Sequence, residues 1–379
     1  MPMIIGAKKN MKKSTQFCFS FFLFFILLTS PSCSSDSPQP SAPQTITIGW
    51  IGPLTGPVSL LGVDNLKAMQ LAFDEYQATK KPEEPILQLT TFDDQYQTSK
   101  SRVAYDDFVH HKGARILFLN TYSSMFELAN NILEDDVVAV NPIDNDTNLA
   151  RLNRNLFFIA KRTEDLAQVL IDALVKHSKK KIYMLFFSGD DFMPFLAKHI
   201  NESFPQNGKQ IKSADYTTGT QDFSTFVSQS LNFKPDAYVL LGYTELGHFM
   251  KQVHAQGNKV PFYTPNVSMQ SIAKNELEGT YFFNFTYLDG RIDPAKKFLE
   301  QYQKKYGEPP AVEWTALQAY DAANIVISAV REVYQKPGLL SLNLTEKLYQ
   351  IKNYPGTCGL ISILTDGTPG AYIPVFINL

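Results

Sequence analysis

Apolar segments of strand length alternate with segments of helical periodicity along most of this chain. The alternation opens with an apolar strand at residues 46–51 and a helix at 64–77, on which Leu66, Met69 and Phe73 share one face. It continues in two series, with strands predicted at 86–92, 114–119, 137–140, 182–187, 211–216, 237–242 and 262–264 and helices at 99–111, 124–133, 164–175, 191–201, 223–231 and 245–256. Repeated βα units predict parallel sheets buried on both faces. The two series therefore predict two α/β lobes.

The C-terminal third has a different pattern. A strand at 281–285 is followed by a helix that opens with Asp293 as N-cap and Pro294 in the first turn. Two further helices at 315–334 and 344–352 have no strands between them, and two strands close the chain at 360–364 and 372–377. We expect these helices to pack on the first lobe, so that the chain crosses between the lobes more than once.

The N-terminus has the order of an export signal, with lysines, an apolar run at 17–28 and small residues before Cys33. The run is shorter than the roughly 20 apolar residues that span a membrane, which predicts a removable leader at 1–32. Cys33 resembles the lipidated cysteine of bacterial lipoproteins, although Ser30 stands where leucine is usual. We expect lipidation at Cys33, a plain signal peptide cut nearby being the alternative. The Ser/Pro-rich segment 33–44 is predicted to be a tether.

Composition narrows the class of protein. The roughly 335 residues after the tether exceed the size of one hydrophobic core, which favours two domains. Lysine and arginine number 35 against 37 acidic residues, so no strong field for nucleic acid or an anionic membrane is expected. Apart from Cys18 and Cys33, only Cys358 remains, which excludes an internal disulfide and any Cys/His metal spacing. No metal or cofactor is predicted.

The sequence contains almost none of the common catalytic motifs. The sequence contains no HExxH, no GxSxG and no P-loop, and the first-strand glycines do not match GxGxxG. The carboxylate pairs 93–94 and 190–191 stand at strand ends, where adjacent residues point to opposite faces. The pair 190–191 is expected to cap the following helix. These observations predict a binding protein and not an enzyme.

Four motifs follow one another in a characteristic order: IGWIGPLTGP at 48–57, DFS at 222–224, YGEPP at 306–310 and AYDA at 319–322. Together they resemble type I periplasmic binding proteins, specifically the leucine/isoleucine/valine-binding group, over nearly the whole mature chain. The resemblance implies two doubly wound parallel-sheet lobes joined by a three-crossing hinge. It also implies a small-molecule solute bound between the lobes and an ABC permease as the membrane partner.

By the same resemblance, lobe boundaries can be predicted. The first lobe is expected to comprise residues 45–158 plus 284–372, and the second residues 159–283 plus 373–379. Ligands of doubly wound sheets bind beyond the carboxyl ends of the strands, so the solute site is expected where those ends of the two lobes face each other.

Several solute-binding residues follow from the resemblance. Ser123 matches the serine that, with backbone amides, holds an α-carboxylate. Ser124 is a second candidate, although with Glu127 it also fits a capping box. Leu61 occupies a position that touches the ligand side chain. Independently of the resemblance, Trp314 stands at the start of a late helix, where it either reaches the cleft or packs in the core.

Other positions depart from the family pattern. Ile143, Asp144 and Asn145 stand where small residues and threonine usually hold the carboxylate. A second carboxylate about 4 Å from Asp144 would cost roughly 4 kcal/mol at an effective dielectric near 20. Asn266 replaces the acid that binds the α-ammonium, and an amide supplies no counter-charge.

Two aromatic residues complete the predicted site. Phe192 replaces the stacking tyrosine of the family, and Tyr243 keeps an aromatic ring at the next position. We hypothesise that the solute is not a standard α-amino acid held in the usual way. It is either a neutral or cationic polar molecule, or Asp144 binds the ammonium. The alternative is that Asp144 points to solvent.

The predicted function is thus a monomeric, lipid-anchored solute-binding protein of an ABC importer, exported to the periplasm or cell envelope. Its solute is an amino acid or a related compound. The alternative is a ligand-sensing or envelope-regulatory lipoprotein that uses the same fold to control a protein partner, because a fold does not fix a function.

Overall fold

The computed structural model describes residues 44–56, 58–160, 162–204, 208–265, 279–284, 293–336, 338–357, 359–368 and 375–378. The first sheet contains five parallel strands in the order β2-β1-β3-β4-β5. They are β1 (Thr45–Gly52), β2 (Ile86–Asp93), β3 (Ile116–Leu119), β4 (Val138–Asn141) and β5 (Leu156–Phe158). Their connecting helices are α1 (Ser59–Thr79), α2 (Thr98–Asp106), which continues into a π-helical turn at Asp107–His111, and α3 (Tyr122–Glu134). We call this sheet and the helices that cover it lobe 1.

A second series of βα units forms lobe 2. Its strands are β6 (Lys181–Phe187), β7 (Gln210–Tyr216), β8 (Ala237–Leu241), β9 (Phe262–Pro265) and β10 (Thr280–Asn284). Its helices are α4 (Thr163–Lys176), α5 (Phe192–Ser203), α6 (Ser224–Phe233) and α7 (Leu246–Ala255). All five strands run parallel.

The last third of the chain contributes to both lobes. It contains α8 (Asp293–Tyr306), α9 (Glu313–Val333), α10 (Leu340–Tyr349) and a hairpin of β11 (Tyr354–Gly356) and β12 (Gly359–Ile361). Side chains of all three helices belong to the apolar core on one face of the lobe 1 sheet. The final strand, β13 (Val375–Asn378), pairs antiparallel with β10, which gives the order β13-β10-β9-β8-β6-β7 in lobe 2. The chain therefore passes between the lobes three times.

Burial explains why these segments form parallel sheets. Every residue of β3, β4, β5 and β8 is buried, as expected for strands covered by helices on both faces. In lobe 1 the two faces have separate cores, one against α1 and α8 to α10 and one against α2 and α3. The predicted fold class, two doubly wound parallel-sheet lobes, is confirmed.

The structure differs from the sequence-based elements in a few places. Strands β5 and β11 have only three residues each, too few to show a period, and the prediction did not contain them. Helix α1 begins at Ser59, before its predicted start, with Gly62 inside it. A β-carbon there would lie 1.8 Å from the Pro53 carbonyl oxygen, so the close approach of the first turn to the β1 loop requires glycine.

Some predictions fall on other parts of the chain. Cys33, Cys358, Asn266, the leader and the tether up to residue 43 lie outside the described residues. The exact lobe boundaries stay a prediction.

Candidate functional site

The carboxyl ends of the strands in the two lobes face each other across a direct contact. At the start of α3, the Tyr122 ring lies 6.2 Å from the Phe192 ring at the start of α5, measured between centroids. The neighbouring Ser123 hydroxyl forms a hydrogen bond with the Asp191 carboxylate. Because α3 follows β3 and α5 follows β6, these contacts join the edges at which doubly wound sheets bind ligands. We call the space between these edges the cleft.

Apolar side chains from both lobes meet at the cleft. Leu61, Ile143 and Trp314 of lobe 1 belong to the same buried apolar cluster as Phe187 and Tyr243 of lobe 2. The structure thus brings together four of the predicted site residues, and Phe192 packs against the edge of this cluster. Trp314 lies in this interlobe cluster and not in the lobe 1 core.

Asp144 is a buried carboxylate just beyond the end of β4. Only 4% of the residue is exposed, so it does not point to solvent. The Asn141 side-chain oxygen accepts hydrogen bonds from the backbone N–H groups of Ile143 at 2.7 Å and Asp144 at 2.8 Å, while its Nδ2 donates to Asp144 Oδ2 at 3.1 Å. This turn fixes the orientation of the carboxylate. Burial raises the pKa of Asp144 to about 7, and the carboxylates of Asp146 and Asp190 add to the effect.

Asp190 is the matching carboxylate of lobe 2. It accepts hydrogen bonds from the Tyr243 hydroxyl at 2.6 Å and from the Met193 backbone N–H at 2.9 Å. The second bond satisfies the first turn of α5, as the sequence predicted for this pair of aspartates. Burial raises the pKa of Asp190.

Tyr96 of lobe 1 extends the polar contacts across the cleft. Burial, followed by the charges of Asp144 and Asp190, raises the pKa of Tyr96 well above its ordinary value, so the Tyr96 hydroxyl lies near both carboxylates. Its ring packs against apolar residues of both lobes. Asp144, Asp190, Tyr96 and Tyr243, all buried or half-buried, therefore form one polar group, which we call the cleft cluster.

Ser124 lies beneath the cleft. Its hydroxyl donates to Ser101 Oγ at 2.7 Å, and Ser101 donates to the fully buried Asp94 at 2.7 Å. Asp94 also accepts a hydrogen bond from Thr121 Oγ1 at 2.5 Å. The capping alternative for Ser124 is wrong, because α3 begins at Tyr122. Its role in solute binding stays a prediction.

Asn145 lies at the first connection between the lobes. Its Nδ2 donates to the Ala160 carbonyl at 3.0 Å. Its backbone carbonyl accepts hydrogen bonds from the Thr163 N–H at 2.7 Å and from the Thr163 hydroxyl at 3.2 Å. Its Oδ1 is buried and accepts no hydrogen bond from the described residues. These bonds tie the loop after β4 to the chain segment that leads into α4.

Two members of the cleft cluster were not among the predicted site residues. Asp190 stands just beyond the end of β6, where the sequence pattern indicates helix capping alone. Tyr96 follows the carboxylate pair at 93–94, and its φ of 60° turns the chain sharply after β2. The only sequence signal for either residue is its place just beyond a strand end.

The sequence itself shows which family has this architecture. Residues 45–376 match the family described as periplasmic binding protein. The chain belongs to this family. A Leu/Ile/Val-binding protein homolog from Brucella melitensis is 24% identical over 294 residues, which cover 75% of this chain and 78% of that protein. The predicted membership of the type I, branched-chain amino acid group is thereby confirmed.

Solved structures of similar proteins have the same fold. The leucine-binding protein LivK from Thermotoga maritima has a TM-score of 0.78 at 20% identity, over 88% of this chain and 98% of that chain. The substrate-binding protein LivJ of a branched-chain amino acid transporter from Streptococcus pneumoniae, in complex with isoleucine, has a TM-score of 0.77 at 19% identity, over 88% and 99%. The fold is thus that of these periplasmic solute-binding proteins.

The described part of the chain also bears on other kinds of site. It contains no group of three or more His, Cys, Asp or Glu residues arranged to hold a metal ion. None of the helices described there is long and apolar enough to cross a membrane. The related proteins are solute-binding proteins, which fits the prediction that this chain is not an enzyme.

Proposed function

We propose that this protein supplies an ABC importer: exported and lipid-anchored through Cys33, it binds a small polar solute in the cleft and presents it to a membrane permease. The observation that carries the proposal is the cleft cluster, in which buried and half-buried polar groups of both lobes meet at the carboxyl ends of their sheets. Buried polar groups at such a place are suited to orient a polar ligand.

The contacts between the lobes support a mechanism of opening and closing. The Ser123–Asp191 hydrogen bond and the Tyr122–Phe192 ring contact both join helix starts from opposite lobes. Only three chain passages connect the lobes, and we expect the lobes to rotate about these segments. A solute that contacts both lobes favours the closed form, and a permease can recognise that form.

The residues of the cleft bear on the kind of solute. LivJ binds isoleucine, so an amino acid or a related compound is the starting expectation. Asp144, however, would repel a solute carboxylate placed beside it, at a cost of roughly 4 kcal/mol for charges about 4 Å apart. We therefore propose a neutral or cationic polar solute, or an amino acid whose ammonium binds Asp144.

Solute binding is tested with the exported protein by differential scanning fluorimetry against amino acids, amides, amines, nucleobases and polyols. A compound present at about 100 times its dissociation constant should stabilise the protein by roughly 2.7 kcal/mol. X-ray scattering with that compound should show a smaller radius of gyration. An absence of both effects with every compound would contradict the proposal and favour the regulatory alternative.

Lipid anchoring has its own test. The wild-type protein expressed in a bacterial host should fractionate with membranes and incorporate a labelled fatty acid. Cys33→Ser should abolish the label and release the protein into the soluble fraction, whereas Cys358→Ser should change neither. Equal labelling of the Cys33→Ser variant would show that Cys33 is not the lipidated residue. The proposal that the protein binds a solute would not be affected by that result.

A further inference from the structure

The carboxylates around the cleft have no cationic partner within the described residues. Asp94, Asp144, Asp146 and Asp190 form no ion pair with the lysines, arginines and histidines described. Their hydrogen-bond donors are neutral: hydroxyls, one side-chain amide and backbone N–H groups. Buried carboxylates are usually paired with a cation or hold a metal, and no such pairing is seen among these residues.

Asp144 has a free acceptor atom. The residue is 4% exposed, and its single side-chain hydrogen bond goes from Asn141 Nδ2 to Oδ2. No described residue donates to Oδ1. Asp144 and Asp190 both raise the pKa of the Tyr96 and Tyr243 hydroxyls, and the adjacent Ile143 lies in the same buried interlobe cluster as Tyr243. The Asp144 carboxylate is therefore close to the other members of the cleft cluster.

Two amide oxygens in the same region also lack a donor. Asn120 Oδ1, after β3, and Asn145 Oδ1, after β4, are buried and accept no hydrogen bond from the described residues. In each case the Nδ2 atom donates to a backbone carbonyl, of Ile51 and Ala160 respectively, at 3.0 Å. If either side-chain amide were flipped, its Oδ1 would face the backbone carbonyl oxygen, which is unfavourable. These hydrogen bonds therefore identify Oδ1 as the atom that lacks a donor. The strand ends of lobe 1 therefore have an excess of acceptors.

From these observations we propose that the solute carries an ammonium or amidinium group, which binds between Asp144 of lobe 1 and Asp190 of lobe 2, and that it has no carboxylate at that end. The inference rests on the proposed function and specifies its solute. An organic cation is favoured over a metal ion because the described residues contain no metal-holding group of three or more ligands. An ammonium group brings three N–H donors to a region that lacks donors.

The placement on opposite lobes also connects binding to closure. When the lobes close without a solute, two carboxylates approach each other in a poorly solvated space and repel. A cation bound between them attracts both carboxylates. It can contact both at once only when the lobes are closed. The cation thus favours closure through its difference in affinity for the two forms.

The apolar and aromatic residues of the cleft indicate what the uncharged part of the solute is. Leu61, Ile143 and Trp314 supply apolar surface from lobe 1, and Phe192 and Tyr243 supply aromatic rings from lobe 2. Aromatic faces also attract cations. The expected class is a primary amine with a branched aliphatic or aromatic body.

Compounds that share a carbon skeleton but differ in charge test this class. Isothermal titration calorimetry at pH 8 would compare 3-methylbutylamine and 2-phenylethylamine with the alcohols 3-methylbutanol and 2-phenylethanol, and with leucine and phenylalanine. We expect one of the two amines to bind at least 50-fold more tightly than its alcohol and its amino acid. Tighter binding of an alcohol or amino acid would overturn the inference, while the proposed solute-binding function would stand.

Variants identify the group that binds the cation. Asp144→Asn and Asp190→Asn should each weaken binding of the amine by at least 30-fold. Asp136→Asn is the matched control, because Asp136 is exposed at the opposite end of lobe 1, and it should change affinity less than 2-fold. Thermal melts of each variant verify folding. Unchanged amine affinity in a folded Asp144→Asn protein would overturn the inference, and no binding of any compound, charged or neutral, would contradict the proposed function as well.

Discussion

At the scale of single residues, Asp144 is a buried carboxylate, and burying it lowers the stability of the folded protein. Its carboxylate is buried with one neutral amide donor, and nearby carboxylates raise its pKa further. An apolar or amide residue at this position would make the protein more stable. A buried group with such a strongly shifted pKa in a cleft is a candidate functional residue.

The raised pKa of Asp144 predicts how stability depends on pH. The folded protein holds the Asp144 proton up to about pH 7, whereas the unfolded chain loses it near 3.8. The free energy of unfolding of the solute-free protein should therefore fall as the pH rises from about 4 to about 7, by up to roughly 4 kcal/mol for this group. Asp144→Asn should reduce this fall and be the more stable protein at pH 8.

Urea denaturation at pH 5 and pH 8 measures this difference. Asp136→Asn serves as the control, because it changes an exposed carboxylate and should leave the pH dependence unaltered. The same decline with pH in the wild type and in Asp144→Asn would disprove the assignment.

Tyr243 contributes to stability through its hydroxyl. Tyr243→Phe removes the 2.6 Å hydrogen bond to Asp190 and leaves the carboxylate without this donor, which should cost about 1–3 kcal/mol in the free energy of unfolding. Tyr183→Phe is a suitable comparison in the same lobe, because the hydrogen bond from its hydroxyl to Gln229 is long, at 3.4 Å. Chemical denaturation at pH 8 compares the two variants, and equal losses would argue against the role of Tyr243.

At the scale of elements, α1 connects the start of the chain to its last third. Asp64 on α1 accepts hydrogen bonds from the Tyr302 hydroxyl at 2.7 Å and from the Val312 backbone N–H at 2.6 Å. These bonds join α1 to α8 and to the start of α9, across 238 and 248 residues of sequence respectively. They explain how helices without strands of their own pack on lobe 1.

Asp64→Ala tests this connection. Both donors would remain buried without an acceptor, so the free energy of unfolding should fall by about 2–5 kcal/mol. Asp74→Ala, on the same helix, removes an exposed ion pair with Lys305 and an exposed hydrogen bond from Gln70, and it should cost less than about 1 kcal/mol. Thermal or urea unfolding measures both variants. Similar decreases in the free energy of unfolding for the two would refute the explanation.

The starts of α3 and α5 should control the closed form. Ser123→Ala removes the hydrogen bond to Asp191, and loss of about 0.5–1.5 kcal/mol would lower the ratio of closed to open molecules roughly 2- to 10-fold. Single-molecule fluorescence between labels on the two lobes would measure that ratio. Ser99→Ala, an exposed change on α2, should leave it unchanged, and an equal ratio in all three proteins would contradict the prediction.

Much of the fold could be predicted from the sequence, because long alternating segments such as β6 and α4 carry a strong periodic signal. Short elements such as β5 carry none, because three residues do not define a period. The site was predicted in part. Leu61, Ile143 and Tyr243 follow from strand-end positions and the family resemblance, but the meeting of Tyr96 with Tyr243 depends on how two lobes approach each other, which local sequence does not encode.

At the scale of the whole molecule, each lobe depends on distant parts of the chain. Lobe 1 needs α8, α9 and α10 to cover one face of its sheet, and lobe 2 needs β13 to complete its sheet next to β10. The two lobes should therefore respond differently to changes near the C-terminus.

Removal of residues 375–379 provides the test. Backbone amides of β10 should exchange hydrogen at least 10-fold faster, because β10 becomes an edge strand without its partner. Amides of β1 in lobe 1 should keep their protection, which makes them the internal control. Hydrogen exchange measured by mass spectrometry reports both in one experiment, and equal deprotection of β1 would show that the lobes unfold as one unit.

Because α8 to α10 and β13 lie near the C-terminus, they are synthesised last, which has a consequence for folding during synthesis. A nascent chain that has emerged only as far as β10 contains two unfinished halves, each with exposed apolar surface or an unpaired strand. Lobe 1 cannot complete its core before α8 to α10 have been synthesised, and lobe 2 cannot complete its sheet before β13 follows. We therefore expect both lobes to stay incompletely folded until late in translation, a state that would suit passage through a narrow secretion channel if the chain is exported as proposed.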